Sequence, residues 1–260
     1  MIIIGNGRVG GALNRRANAA GEPSTVISRS SGWDILESPD AHGPILVTTN
    51  AGDLEQVIAQ VPSCRHKELA FTQNGMIDDV LRKHGLEGNT RGLLYFAVPK
   101  RGADISPGGA SIFTGPYADS VTDWFQQVDL DANEVQKEHF RNEMFSKLIW
   151  NCVFGLMCDV YDCTVGELVG SRRSMIDELV AELSQVANFR GNATLNASET
   201  SDSLCEYSMS IPGYQGALKQ WEWRNGWFVQ ATVNLEEETP RHHELLLSHH
   251  KKPLHRQQHP

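Results

Sequence analysis

The sequence predicts an α/β protein in which an N-terminal domain built on a parallel sheet is followed by a mostly α-helical C-terminal domain. Short β-branched runs alternate with helical or loop-like stretches through the first half, the pattern of successive β-α-β units. A glycine-rich turn joins the first of these runs to the first helical stretch. Beyond about residue 131 the alternation stops and long helical patterns take over. The boundaries that follow are 1–132, 133–240, and a polar histidine-bearing segment over 241–260.

In chain order, strands are expected at 2–4, 25–27, 45–48, 69–72, 93–96 and 111–113. A helix is expected over 11–20. Leu54-Glu-Gln-Val-Ile-Ala-Gln-Val repeats its apolar residues at three- and four-residue spacing, as a crossover helix capped by Asp53 would. In the second half, helices are expected over 138–158 and 172–187. Within the first of these, Phe140, Met144, Leu148 and Cys152 recur every four residues as an apolar stripe. Lys147 and Asn151 lie one turn apart on a neighbouring face, so both can point at one target. The last twenty residues hold six of the ten histidines, four Lys or Arg and one Glu. A frayed polar end explains them more simply than a metal site, and Glu244-Leu-Leu-Leu leaves a docking helix open.

Composition narrows the function. At 260 residues, 40% hydrophobic and 21% charged, the chain can bury a sizeable core. Lys and Arg number 23 against 32 Asp and Glu, a net charge of -9, so there is no general basic field for nucleic acid. No run approaches the roughly 18 apolar residues that cross a bilayer, and the opening Met-Ile-Ile-Ile-Gly-Asn-Gly lacks the basic start of a secretion signal. Five cysteines, without a Cys-x-x-Cys pair, suit a reducing compartment, and the cytoplasm is the expected setting. Cys158 and Cys163 have no matching second pair for zinc, and no metal is expected.

Gly5-Asn6-Gly7-Arg8-Val9-Gly10 follows an isoleucine strand and opens a helix, the context that a dinucleotide fingerprint needs. Gly5 permits the tight turn, Gly7 lets backbone approach a pyrophosphate, and Gly10 lets helix and strand pack closely, while the helix N-terminus offers N–H groups to the anion. The N-terminal domain is therefore expected to be Rossmann-type. Nineteen residues beyond Gly10, Ser28-Arg29-Ser30 stands where an NAD site would carry an acid. An arginine among hydroxyls suits a 2′-phosphate, which favours NADPH; an idle surface charge is the alternative. Gln73-Asn74-Gly75 closes the fourth strand, where Asn74 either lines a ligand crevice or makes a plain turn. Lys147 either snorkels its amine to water or donates a proton to a substrate carbonyl, with Asn151 orienting the same substrate.

In this order the segments resemble the ketopantoate reductase family, NADPH-dependent enzymes that reduce 2-dehydropantoate to pantoate. The most specific stretch is Arg141-Asn-Glu-Met-Phe-Ser-Lys147-Leu-Ile-Trp-Asn151-Cys-Val, followed by Gly166-Glu-Leu. The resemblance implies that Lys147 is the general acid, that Asn74 and Asn151 bind substrate, that Ser208 contacts its carboxylate, and that Arg29 holds the 2′-phosphate. It places Gln220 where the family has a substrate-binding glutamate and Asn50 where it has a lysine beside the cofactor. Gly155 and His242 stand where asparagines are expected.

Two readings remain open from the residues. The first is an NADPH-dependent reductase of a small 2-oxo acid, with a homodimer through the helical domain as one arrangement. The second is a nucleotide-binding sensor or interaction protein that keeps the fold without efficient catalysis, which the departures at Gln220, Asn50 and Gly155 favour.

Overall fold

The computed structural model describes residues 1–38 and 41–250. The chain divides into two compact units between Phe140 and Arg141. The first unit therefore runs past residue 132, because the last strand of its sheet is Ala132–Glu134.

In the first unit, β1 (Ile2–Ile4) pairs in parallel with β2 (Thr25–Ile27) on one side and β3 (Ile45–Val47) on the other, with Ile3 opposite Val26 and Leu46. Beyond β3 lie β4 (Leu69–Phe71) and β5 (Thr90–Leu93), also parallel. Between β5 and the far edge, a short side ribbon is formed by β6 (Phe96–Ala97) and β7 (Ser106–Pro107). β8 (Ser111–Thr114) pairs antiparallel to β5, and β9 (Ala132–Glu134) completes the order β2-β1-β3-β4-β5-β8-β9. The chain leaves β1 for one flank and returns for β3 on the other, so strand order reverses at β1/β3, where open α/β sheets hold ligands.

Helices α1 (Arg8–Ala20), α2 (Leu54–Gln60), α3 (Asp78–Lys83) and α4 (Ala118–Gln127) accompany the sheet. Ile3, Leu13, Leu46, Phe113, Val121 and Phe125 share one buried cluster, which fastens α1 and α4 to the strands. Two expectations are corrected. The strand expected at 93–96 is centred earlier, at β5, where Thr90 and Arg91 pair with β4 and Arg91 to Leu93 pair with β8. Asp53 makes no side-chain cap to α2; its carboxylate instead lies 3.6 Å from Arg29.

The second unit is helical. α5 (Lys137–Tyr161) is followed by α6 (Val165–Ser171), whose Thr164 and Glu167 form a reciprocal capping box, and by α7 (Arg173–Gly191). Then come α8 (Ala197–Ser210), α9 (Asn225–Ala231), α10 (Leu235–Glu238) and α11 (Pro240–His250). The segment expected to fray is helical as far as His250. The Glu182 carboxylate of α7 accepts from the backbone N–H groups of Arg241 and His242, and Leu245 and Leu246 are buried. His242 is also buried, its Nε2 2.8 Å from Asn225 Oδ1, and burial holds its imidazole down to about 4. Residues 251–260 of the expected polar segment lie outside the described residues. Among the described residues no helix is long and apolar enough to cross a membrane.

The turn from β1 into α1 is the tightest joint in the first unit. Gly5 has φ +116°, and a Cβ on Gly10 would stand 1.9 Å from the Gly5 carbonyl oxygen. Gly10→Ala must separate two backbones rather than move a side chain, and we expect it to lower stability by about 2 kcal/mol or more, read as a shifted urea midpoint. An unchanged midpoint would show that the joint has slack.

Candidate functional site

The expected cofactor residues of the first unit meet at the C-terminal edge of the parallel strands. Gly5 ends β1, and its N–H donates to the Ile27 carbonyl of β2. Thr48, just beyond β3, donates its hydroxyl toward the Ile4 and Gly5 carbonyls at 3.0 and 3.1 Å, tying that strand end to the glycine turn. Gly7 is exposed, and a Cβ there would meet nothing within 4 Å among the described residues. No side chain caps the N-terminus of α1, so its first N–H groups are left for an anion. Asn6 and Arg8 flank this opening as exposed residues, and Val9 is half-buried.

Around the turn stand the other expected residues. Arg29, after β2, is 82% exposed, and its long contact with Asp53 is one that a phosphate could displace. Asn50, after β3, is exposed. Asn74, after β4, is exposed beside Gly75, whose φ of +120° turns the chain away. The neighbouring Gln73 donates through Nε2 to the Val47 and Thr49 carbonyls, while its buried Oε1 has no partner among the described residues. Thr48 and Gln73 escaped the sequence reading; their signal is a polar residue directly behind a buried strand. An open Gly7, an uncapped helix end and an orphaned amide oxygen on one edge suit a dinucleotide.

The second unit holds the expected catalytic and substrate residues, most of them on α5. Lys147 is half-buried, and burial, reinforced by the Arg224 guanidinium, brings its ammonium from the usual 10.5 down to about 8. Asn151 donates to the Lys147 carbonyl at 2.7 Å, leaving one N–H and its Oδ1 for another partner. Trp150 packs against Tyr207 and Tyr214, with ring centroids 5.2 and 5.8 Å away. Both tyrosines are partly exposed, so Trp150, the residue before Asn151 on α5, belongs to a half-open aromatic wall.

Other expectations are corrected. Ser208 is fully buried; its hydroxyl donates to the Leu204 carbonyl and accepts the Trp150 indole N–H, so it is occupied in packing α8 on α5. Gln220 is exposed, with φ +51°, at the start of a short turn over Trp221–Trp223. Its side chain faces solvent. Gly155 is glycine because a Cβ there would stand 2.8 Å from the Ala217 carbonyl oxygen. His242 is an internal partner of Asn225. Gly155 and His242 are thus explained by packing rather than by substrate.

Residues 139–247 match the family model described as ketopantoate reductase PanE/ApbA C terminal. The chain also shares its fold with solved structures. A 2-dehydropantoate 2-reductase from Methylococcus capsulatus is 14% identical with a TM-score of 0.75, the match covering 97% of this chain and 98% of that one. D-mandelate dehydrogenase in ternary complex with NADH and anilino(oxo)acetate is 17% identical with a TM-score of 0.73, covering 96% and 97%. A dimeric ketopantoate reductase from Staphylococcus aureus is 15% identical with a TM-score of 0.71, covering 96% of each chain. No curated protein matches the chain in sequence.

Lowering the Lys147 value has a consequence for stability. The unfolded chain keeps this proton to about pH 10.5 whereas the folded protein releases it near 8, so between those values the unfolded state binds more protons and stability rises with pH. We expect Lys147→Met to raise stability at pH 7 by about 1–3 kcal/mol, and the gain to shrink as pH rises through 8 toward 10.5. Urea unfolding across that range checks it, and a gain independent of pH would refute the assignment.

Proposed function

We propose that this chain is an NADPH-dependent reductase of a small 2-oxo acid, a reading supported by the match of residues 139–247 to the ketopantoate reductase C-terminal family model. The observation carrying the proposal is the Lys147 amine on α5, whose value near 8 leaves it mostly protonated at neutral pH yet ready to release its proton. The glycine turn and the α1 N-terminus would hold the dinucleotide, Arg29 its 2′-phosphate, and Asn50 and Asn74 the neighbouring edge; when bound, this cofactor supplies the hydride.

Lys147 hydrogen-bonds the substrate carbonyl oxygen and gives it a proton as negative charge develops there. Asn151 fixes the same oxygen or its neighbour through the amide atoms that the helix leaves unused. A homodimer through the helical unit belongs to this reading and rests on the dimeric Staphylococcus aureus relative.

A finer reading of the substrate is favoured by the wall of Trp150, Tyr207 and Tyr214, which starts from the same helix as Lys147 and Asn151. Aromatic rings stack on such a surface, so an aryl 2-oxo acid fits it better than the compact branched chain of 2-dehydropantoate. The mandelate dehydrogenase relative, solved with anilino(oxo)acetate, supports that choice.

NADPH oxidation against a panel of 2-oxo acids tests both levels. We expect turnover with phenylglyoxylate to exceed that with 2-dehydropantoate, to fall as pH rises above about 8, and to drop at least a hundredfold in Lys147→Met with NADPH binding kept. NADPH binding without oxidation by any member of the panel would favour the sensor. In a fluorescence titration Arg29→Ala should weaken NADPH about tenfold or more and leave NADH nearly unchanged; equal losses would discard the 2′-phosphate role.

A further inference from the structure

Arg224 takes no part in the reading above. It immediately precedes α9, where Trp227, one turn on, places its ring 5.5 Å from that of Phe145 on α5. Further back, the Leu218 N–H donates to the Asp159 carboxylate at 2.6 Å, and Ala217 lies against Gly155. The chain between Ala217 and Trp227 therefore follows α5, bringing Arg224 to the stretch around Lys147 and Cys152, on both of which its charge acts.

This guanidinium is poorly satisfied for its surroundings. Its Nε is buried, and no described residue accepts from it. The ionisable groups acting on it besides burial are the Cys152 thiol, whose proton burial holds more firmly, and the Tyr214 phenol; neither is a carboxylate. Arg65 and Arg91 by contrast bond the carboxylates of Glu68 and Asp78, and Arg172, whose Nε is also without a partner, lies over the Tyr161 ring. A guanidinium carries five N–H donors and cannot shed its charge, so a buried N–H without an acceptor is an unfavourable arrangement that an anion would correct. An arriving anion also relieves the repulsion between Arg224 and Lys147. The serine that the family resemblance assigned to the substrate carboxylate is closed off, since Ser208 spends its hydroxyl on Leu204 and Trp150.

We propose that Arg224 binds the carboxylate of the 2-oxo acid beside Lys147 and is the specificity-determining cation of the substrate site. The inference rests on the reductase reading for the identity of that acid. Guanidinium grips a carboxylate through two parallel N–H bonds, which would also set the orientation of the neighbouring carbonyl. Tyr214 lies near the guanidinium and packs on Trp150, so the anion site and the aromatic wall adjoin.

The test is binding rather than turnover. Oxamate, an unreactive 2-oxo acid mimic, is titrated by intrinsic tryptophan fluorescence into the NADPH-loaded parent, Arg224→Met and Arg224→Lys. Its neutral counterpart oxamide is titrated in parallel, and thermal melts confirm folding. We expect Arg224→Met to weaken oxamate at least tenfold, Arg224→Lys to keep part of the affinity, and NADPH affinity to stay within twofold. Equal oxamate affinity in parent and Arg224→Met, no oxamate binding by the parent, equal binding of oxamide, or a loss confined to NADPH would each overturn the assignment. Arg224-dependent oxamate binding in a chain that oxidises NADPH with no 2-oxo acid would uphold the anion site while discarding the reductase reading.

Discussion

The near-contact of two backbone segments at the end of β1 constrains the C-terminal edge of the parallel strands. The Gly5 carbonyl lies where a side chain on Gly10 would be, and the Thr48 hydroxyl closes over that same carbonyl from β3. Three elements meet there with no room for a methyl group. The close fit aims the start of α1 along the strand ends and leaves Gly7 open at the mouth of the turn. Arg29, Asn50 and Asn74 then need only follow their strands to stand around one place, because β2, β3 and β4 run parallel to β1 in register.

The helical unit works under a different constraint, the cost of keeping cations out of water. α5 buries Phe145, Leu148, Ile149 and Cys152 while presenting Lys147 and Asn151, so the amine is carried by a helix held rigidly on several sides. Burial, with the Arg224 guanidinium nearby, is what lowers the proton affinity of the amine. Stability given up at Lys147 and Arg224 is the kind of local debt associated with sites shaped for a ligand.

Much of this was legible in the sequence. The strands at β1, β2, β3 and β4, the glycine turn, and the pairing of Lys147 with Asn151 on one helix follow from β-branched runs, a motif with its flanking elements, and 3.6-residue periodicity. What escaped has physical causes. Ala132–Glu134 carries no β-forming residues and is a strand only because β8 pairs with it. Gly155 looked like a lost polar group until Ala217 was found against it. The sequence does not reveal that the indole of Trp150, 58 residues away in the chain, uses the Ser208 oxygen. Arg224 was passed over since an arginine in sequence carries no mark of whether a carboxylate awaits it.

The closing helix has a bearing on how this protein can be handled. Glu182 clasps the first N–H groups of α11, and His242 reaches Asn225, the residue directly after Arg224. Trimming the histidine-rich end at residue 240 as though it were a dispensable tag would bare Leu245's and Leu246's seat on the bundle and deprive Asn225 of its imidazole. α11 is thus a buttress for the segment that carries Arg224, and a truncated or fused version needs this helix intact.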